Sequence, residues 1–201
     1  KDIVIEAGKV CELGRIDSIL GADDTINSLV EDIVTHYENY RQYEQTGKAM
    51  IVAYSRPIAI KIYNRILELR PEWTEKLAVV MTLGNQDPEE WHKIIGNESY
   101  RKELEKRFKD NDSPLKIVIV VDMWLTGFDV PCLDAIYIDK PIQQHSLIQT
   151  ISRVNRTFAG KGKGIVVDYI GIKRKMNQAL KQYGAGSEQN VEDITAAITE
   201  F

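Results

Sequence analysis

Leu115-Lys116-Ile117-Val118-Ile119-Val120-Val121 is apolar at every position but one and shows no alternation. A strand with one wet face alternates apolar and polar residues. This run is therefore predicted to be buried on both faces, which demands a sheet with cover above and below. Four further strand runs share this character: Met50-Ile51-Val52-Ala53-Tyr54, Leu77 to Thr82, Ala135-Ile136-Tyr137-Ile138, and Gly164-Ile165-Val166-Val167-Asp168. Between them lie longer amphipathic stretches. After Ser55-Arg56-Pro57 comes a helical pattern of Ile58, Ile62, Ile66 and Leu69, with Pro suited to a first turn. Asp87-Pro88-Glu89-Glu90 reads as a helix start with Asp87 at the cap. Helices are also predicted over 99–109 and 146–155. Apolar strands joined by helices predict an α/β fold, a parallel sheet with helices on both faces and right-handed connections.

Flanking helices are expected at both ends. Residues 26–43 form an acidic amphipathic pattern, residues 172–183 a basic one, and residues 188–201 a last short one. The expected organisation is a linker and acidic helical segment over 1–46, belonging to a preceding domain. A central domain follows over 47–171, then a helical extension over 172–201. The start at Lys1 rather than Met is expected of a fragment or a processed product, and no secretory leader is read at the N-terminus.

Composition narrows the function classes. With 43% hydrophobic and 28% charged residues, the chain can bury an ordinary core. A net charge of −4 argues against a nucleic-acid coat protein. The charge is uneven, however. Residues 1–46 carry ten acids and four bases, whereas residues 153–175 carry seven bases and one acid. A polyanion can therefore bind locally. Cys11 and Cys132 have no metal-ligand spacing, and His36, His92 and His145 join no cluster, so no metal site is assigned. No run reaches the roughly 20 apolar residues of a membrane span. A cytoplasmic protein is expected.

Ligands of open α/β sheets bind beyond the carboxyl ends of the strands, so the segments after each strand are the candidates. After the most apolar strand come Asp122 and then Gly127-Phe128-Asp129. After the next lies Gln149-Thr150-Ile151-Ser152-Arg153-Val154-Asn155-Arg156. Arginines three residues apart share a helix face, and a pair of guanidinium forks suits a phosphate chain.

These segments resemble motifs V and VI of superfamily 2 helicases. Ala53-Tyr54-Ser55-Arg56 resembles motif IV, and Thr82-Leu83-Gly84 resembles the glycine-containing segment that follows it. The matches run in family order from about residue 48 to 169. Leu125-Thr126-Gly127-Phe128-Asp129-Val130-Pro131, Ser152 to Phe158 and Val167-Asp168-Tyr169-Ile170-Gly171 are most similar to the motor subunit of type I restriction enzymes. RNA helicases of the superfamily mostly carry Arg at the place of Thr126 and Gly at that of Asn155.

The resemblance implies the second RecA-like domain of an ATP-dependent double-stranded DNA translocase. Arg156 is then the arginine finger, and Arg153 orders it or meets the same phosphate. Gly127 admits the nucleotide, Asp129 binds ribose or braces the arginines, and Gln149 links nucleotide state to the helix. Ser55, Arg56 and Thr82 touch the backbone of the tracked strand, with Asp122 near the same surface. The chain contains neither a Gly-x-x-x-x-Gly-Lys-Ser/Thr loop, nor magnesium-binding acids of the Asp-Glu-x-His type, nor a nuclease pattern. ATP and Mg2+ are thus expected to be held mainly by a first motor domain of the same subunit. The chain alone should lack ATPase and nuclease activity. Implied partners are that domain, duplex DNA, and modification and specificity subunits.

Local alternatives stand beside these roles: a helix cap for Ser55, a strand-end residue for Thr82 and Asp122, a tight bend for Gly127, a turn for Asp129, and surface arginines for Arg153 and Arg156. Trp124 reads as packing rather than base stacking. Two other functions fit the same residues. One is another superfamily 2 DNA motor of remodeller or repair type. The other is a non-catalytic α/β interaction module.

Overall fold

The computed structural model describes residues 18–44, 46–124, 128–142, 144–154, 156, 158, 161 and 163–170. Of the expected linker and acidic helical segment over 1–46, residues 1–17 lie outside these, as does the expected helical extension over 172–201. In chain order the elements are α1 (Asp23–Tyr40), β1 (Lys48–Ala53), α2 (Arg56–Leu69), a 3-10 turn (Pro71–Glu75) and β2 (Leu77–Val80). Then follow α3 (Glu89–Ile95), α4 (Glu98–Lys109), β3 (Ile117–Val120), β4 (Leu133–Asp139), α5 (Gln144–Val154) and β5 (Ile165–Asp168). Among the described residues no helix is long and apolar enough to cross a membrane.

The strands form one parallel sheet in the order β2-β3-β1-β4-β5. β1 is central, with Met50 opposite Val118 on one side and Ile136 on the other. Its residues are all buried, and they divide by parity. Ala49, Ile51 and Ala53 face one core, shared with Leu29 and Ile33 of α1 and Ile62 and Ile66 of α2. Met50 and Val52 face the other, shared with Leu104 and Phe108 of α4 and Ile151 and Val154 of α5. Helices cover both faces, as the uninterrupted apolar strands require.

The acidic helix α1 buries Ile26, Leu29, Val30, Ile33, Val34 and Tyr37 at helical spacing against the sheet. Polar contacts fix it there. The Tyr37 hydroxyl donates to the Gly47 carbonyl at 2.7 Å, and His36 Nδ1 lies 2.7 Å from the Tyr137 hydroxyl. The Tyr169 hydroxyl, just past β5, donates to Asp32 at 2.5 Å.

β1 begins two residues earlier than its apolar run, at Lys48, which is fully buried. A buried ammonium needs acceptors. Its Nζ donates to the carbonyls of Leu115 (2.6 Å) and Arg107 (3.3 Å) and lies over the Phe108 ring. Burial lowers its pKa to about 8.

Between α3 and α4 the chain turns at Gly96, whose φ of +65° suits glycine; a Cβ there would strike the Tyr100 ring. Asn97 then caps α4, its Oδ1 accepting the Tyr100 N–H at 2.9 Å. Asn97→Ala is expected to cost about 1 kcal/mol, read as a lower urea midpoint with unchanged slope.

Candidate functional site

The residues singled out by sequence fall into two patches. The first lies at the carboxyl ends of β1, β2 and β3, in a groove of about 570 Å³ lined in part by Tyr54, Ser55, Arg56, Asp87, Trp91 and Asp122. Ser55 occupies the cap position of α2 in extended conformation, yet its side chain makes no cap hydrogen bond. Its Oγ is closed from solvent and has no hydrogen-bond partner among the described residues.

Arg56 is engaged within the domain. Its Nη1 donates to Asp87 Oδ1 at 2.9 Å, and its Nη2 donates to Asp87 Oδ2 and to the Thr82 carbonyl, the latter at 2.7 Å. The guanidinium also lies over the Trp91 ring, 5.8 Å from its centroid. The Thr82 side chain is exposed, so it is the main chain of Thr82 that meets Arg56.

Asp87 does not cap α3 as expected from sequence. The helix starts at Glu89 with Pro88 at the cap position. The Asp87 carboxylate turns back instead to Arg56 and to the Gly84 N–H, at 2.6 Å. A fork with two charge-assisted bonds outcompetes a seven-residue helix end for the same carboxylate. Arg56, and then the Gly84 N–H, hold its pKa below the usual carboxylate range. A Cβ at Gly84 would lie 3.1 Å from Arg56 Nη1 and 3.2 Å from Asp87 Oδ1, so a larger residue there would press on this ion pair. Asp122 is exposed and pairs with Lys140, Nζ to Oδ1 at 2.5 Å. The sequence reading missed Asp87 and Lys140 as partners. Their spacings of 31 and 18 residues from Arg56 and Asp122 carry no local signal.

The second patch joins motifs V and VI. Arg156 and Asp129 form an ion pair at 3.3 Å, and both side chains are more than half exposed. Gly127 lies outside the described residues, as does the side chain of Arg153, whose backbone belongs to α5. Gln149 is half-buried in α5. An aromatic stack anchors motif V. Trp124 and Phe128 are 4.0 Å apart and nearly parallel, and Phe108 lies 6.0 Å beyond Trp124. Trp124 thus packs, as read from sequence, though with φ of +66°.

This patch does not sit where the strand-end rule places it. Motifs V and VI were expected beyond the carboxyl ends of the strands. α5 runs back across the sheet, so Arg156, just past its C-terminus, lies on the side of the amino ends. Asp129 precedes a turn in which the Leu133 N–H donates to the Val130 carbonyl at the start of β4. Lys161 ties the two segments, donating to the carbonyls of Pro131 (3.3 Å) and Arg156 (3.0 Å). The groove and the Arg156–Asp129 pair therefore occupy opposite edges of the sheet.

Sequence reasoning also passed over Asp139, the last residue of β4. It is 4% exposed, and its Oδ2 has no hydrogen-bond partner among the described residues. Burial pushes its pKa up to about 7. Among the described residues no cluster of three or more His, Cys, Asp or Glu is suited to a metal ion.

Comparison with known proteins agrees with this architecture. The family described as type I restriction enzyme subunit R domain 3 matches residues 25–171. The type I restriction enzyme HindI endonuclease subunit of Haemophilus influenzae is 39% identical over 98% of this chain. The chain spans 20% of that relative's length. Among solved structures, a fragment assigned as an HsdR subunit of a type I restriction enzyme from Vibrio vulnificus superposes with a TM-score of 0.57. The identity is 12%, covering 76% of this chain and 29% of that one. The helicase Lhr of Mycobacterium smegmatis, bound to ssDNA and AMP-PNP, gives 0.52 at 16% identity, covering 75% of this chain and 19% of that one. At such identities the likeness is one of fold, and the fold is RecA-like. By the match over residues 25–171 and the likeness to the Haemophilus subunit, the chain belongs to the family of type I restriction enzyme R subunits, in the region of their domain 3.

Proposed function

We propose that this chain is the second motor domain of an ATP-dependent double-stranded DNA translocase within a type I restriction-modification endonuclease. The observation that carries the reading is the exposed Arg156–Asp129 pair, which brings motifs V and VI together at the surface. Among the described residues Asp129 meets Arg156 at Nη1, at 3.3 Å, and the arginine side chain is more than half exposed, so the carboxylate aims a fork that is still presented outward. An exposed, oriented guanidinium fits a polyphosphate anion.

In this function Arg156 reaches the terminal phosphate of ATP, whose Mg2+ and phosphates are held mainly by the first motor domain of the same subunit. ATP supplies the phosphoryl group that is hydrolysed. Arg153, in the last turn of α5, stands three residues before the finger, Gly127 leaves room for the nucleotide, and Asp129 aims Arg156 until the anion replaces it. Gln149, inside α5, couples the nucleotide side to the helix. On the opposite edge, Ser55, Arg56, Thr82 and Asp122 border the path of the tracked strand, where contacts to the backbone carry no sequence information. The sequence-reading function belongs to partner subunits of a cytoplasmic complex.

A split ATPase makes a direct prediction. The purified chain, with or without duplex DNA, is expected to release phosphate only at background rate. Restoration of hydrolysis on joining it to its upstream motor domain supports the proposal. Turnover by the chain alone rejects it.

A further inference from the structure

A surface that holds a polyanion ordinarily presents unpaired cations, and each phosphate contact releases counterions. The groove at the carboxyl ends does otherwise. Among its described lining residues Arg56 is the one basic side chain, and two of them, Asp87 and Asp122, are acids. Arg56 is bound through both terminal nitrogens to Asp87, and the groove's other acid, Asp122, holds Lys140 from outside the lining. Asp122 lines the groove, and its side chain is 80% exposed. Ser55, by contrast, is a neutral donor with no partner among the described residues.

We infer that Asp87 and Asp122 are charge-compensating residues of the DNA track, holding Arg56 and Lys140 in ion pairs so that a sugar–phosphate strand is gripped weakly and let go easily. The inference rests on the track reading proposed above. A phosphate that approaches Arg56 must replace a carboxylate already seated in the fork. One oxyanion is exchanged for another, the gain in charge contact is small, and few counterions leave. Asp122 opposes the strand directly and lowers the pull of Lys140. A motor that must release its track in every cycle is served by a groove of near-zero net charge.

The test is duplex binding by the intact motor subunit, without nucleotide, between 50 and 200 mM salt. Variants are D87N, D122N, Ser55→Ala, Arg56→Ala and the D87N/Arg56→Ala pair. D87N and D122N are each expected to tighten binding at 50 mM. Each should steepen the log–log salt slope by about 0.7–0.9, so that the gain shrinks about threefold by 200 mM. The D87N gain should vanish in the Arg56→Ala background. Asp122 is exposed, so D122N decides the matter if D87N loosens the loop and lowers the melting temperature. If slopes stay unchanged or binding weakens in D122N and in folded D87N while Ser55→Ala weakens binding, the groove is a track but the acids do not compensate it. If none of the variants alters binding, the groove is not a DNA surface, and the track reading falls with the inference.

Discussion

Arg156→Ala in the intact subunit is expected to lower DNA-stimulated ATP hydrolysis by about 10³–10⁵-fold and to leave duplex binding unchanged. An arginine finger acts on charge that develops in the transition state, so its loss appears in kcat far more than in the binding of substrate or DNA. The geometry supports this separation. Arg156 lies on the amino side of the sheet, across from the groove of Ser55 and Arg56, and makes no contact with that groove. Its side chain is exposed, so truncation removes no core packing and costs little stability. Arg156→Lys is expected to recover little, because a point charge does not reproduce the planar fork. Steady-state phosphate release with saturating duplex, beside a DNA-binding titration, measures both quantities. Turnover within tenfold of the unmodified subunit would reject the finger.

Asp139→Asn is expected to stabilise the chain in alkaline and neutral solution and not in acid. Burial raises the folded pKa of Asp139 from 3.8 to about 7. Between about pH 4 and 7 the folded chain keeps a proton that the unfolded chain has lost. Stability therefore falls as pH rises through that window and stays low above it. The full shift corresponds to about 4 kcal/mol. Asparagine carries no charge at any pH, and its buried amide costs about what the protonated acid does. The expected gain is about 2–4 kcal/mol at pH 8, shrinking toward zero near pH 4. Burial lowers the pKa of His36, which adds the opposite slope. That slope is common to both proteins and cancels in the difference. Urea titrations of the two chains at pH 4.5, 6 and 8 check the prediction. A gain that does not change with pH would falsify it.

The parts of the fold that were legible share a physical basis. Ile117 to Val120 can be a strand buried on both sides and little else, and Ile58, Ile62 and Ile66 lie on one face of any helix that contains them. Local pattern suffices where one face must meet one core. It fails where a residue's partner lies far along the chain. Asp87 stands before Pro88 and Glu89 like a helix cap, and only the fold brings Arg56 to it. Lys48 looks like a loop residue until the carbonyls of Arg107 and Leu115 close around its ammonium. Asp139 ends an apolar strand before Lys140-Pro141 and gives no sign that it will be enclosed. The candidate site residues were chosen by motif order, which also offered Asp129 as the acid to brace the arginines, and the ion pair with Arg156 agrees with that choice. The edge on which they meet was not, because it depends on α5 running back across the sheet.

Opposite edges have a mechanical meaning. β4 spans seven residues from the turn beside Asp129 to Asp139, about 20 Å at the usual rise of a strand. The side chains on either side of it are buried, and an interior at crystal-like density neither compresses nor bends appreciably. On the proposed reading, whatever shifts Arg156 must reach Ser55 by swinging the whole slab as a strut. A tilt at one end then carries the other with it, by a distance in proportion to that length of about 20 Å.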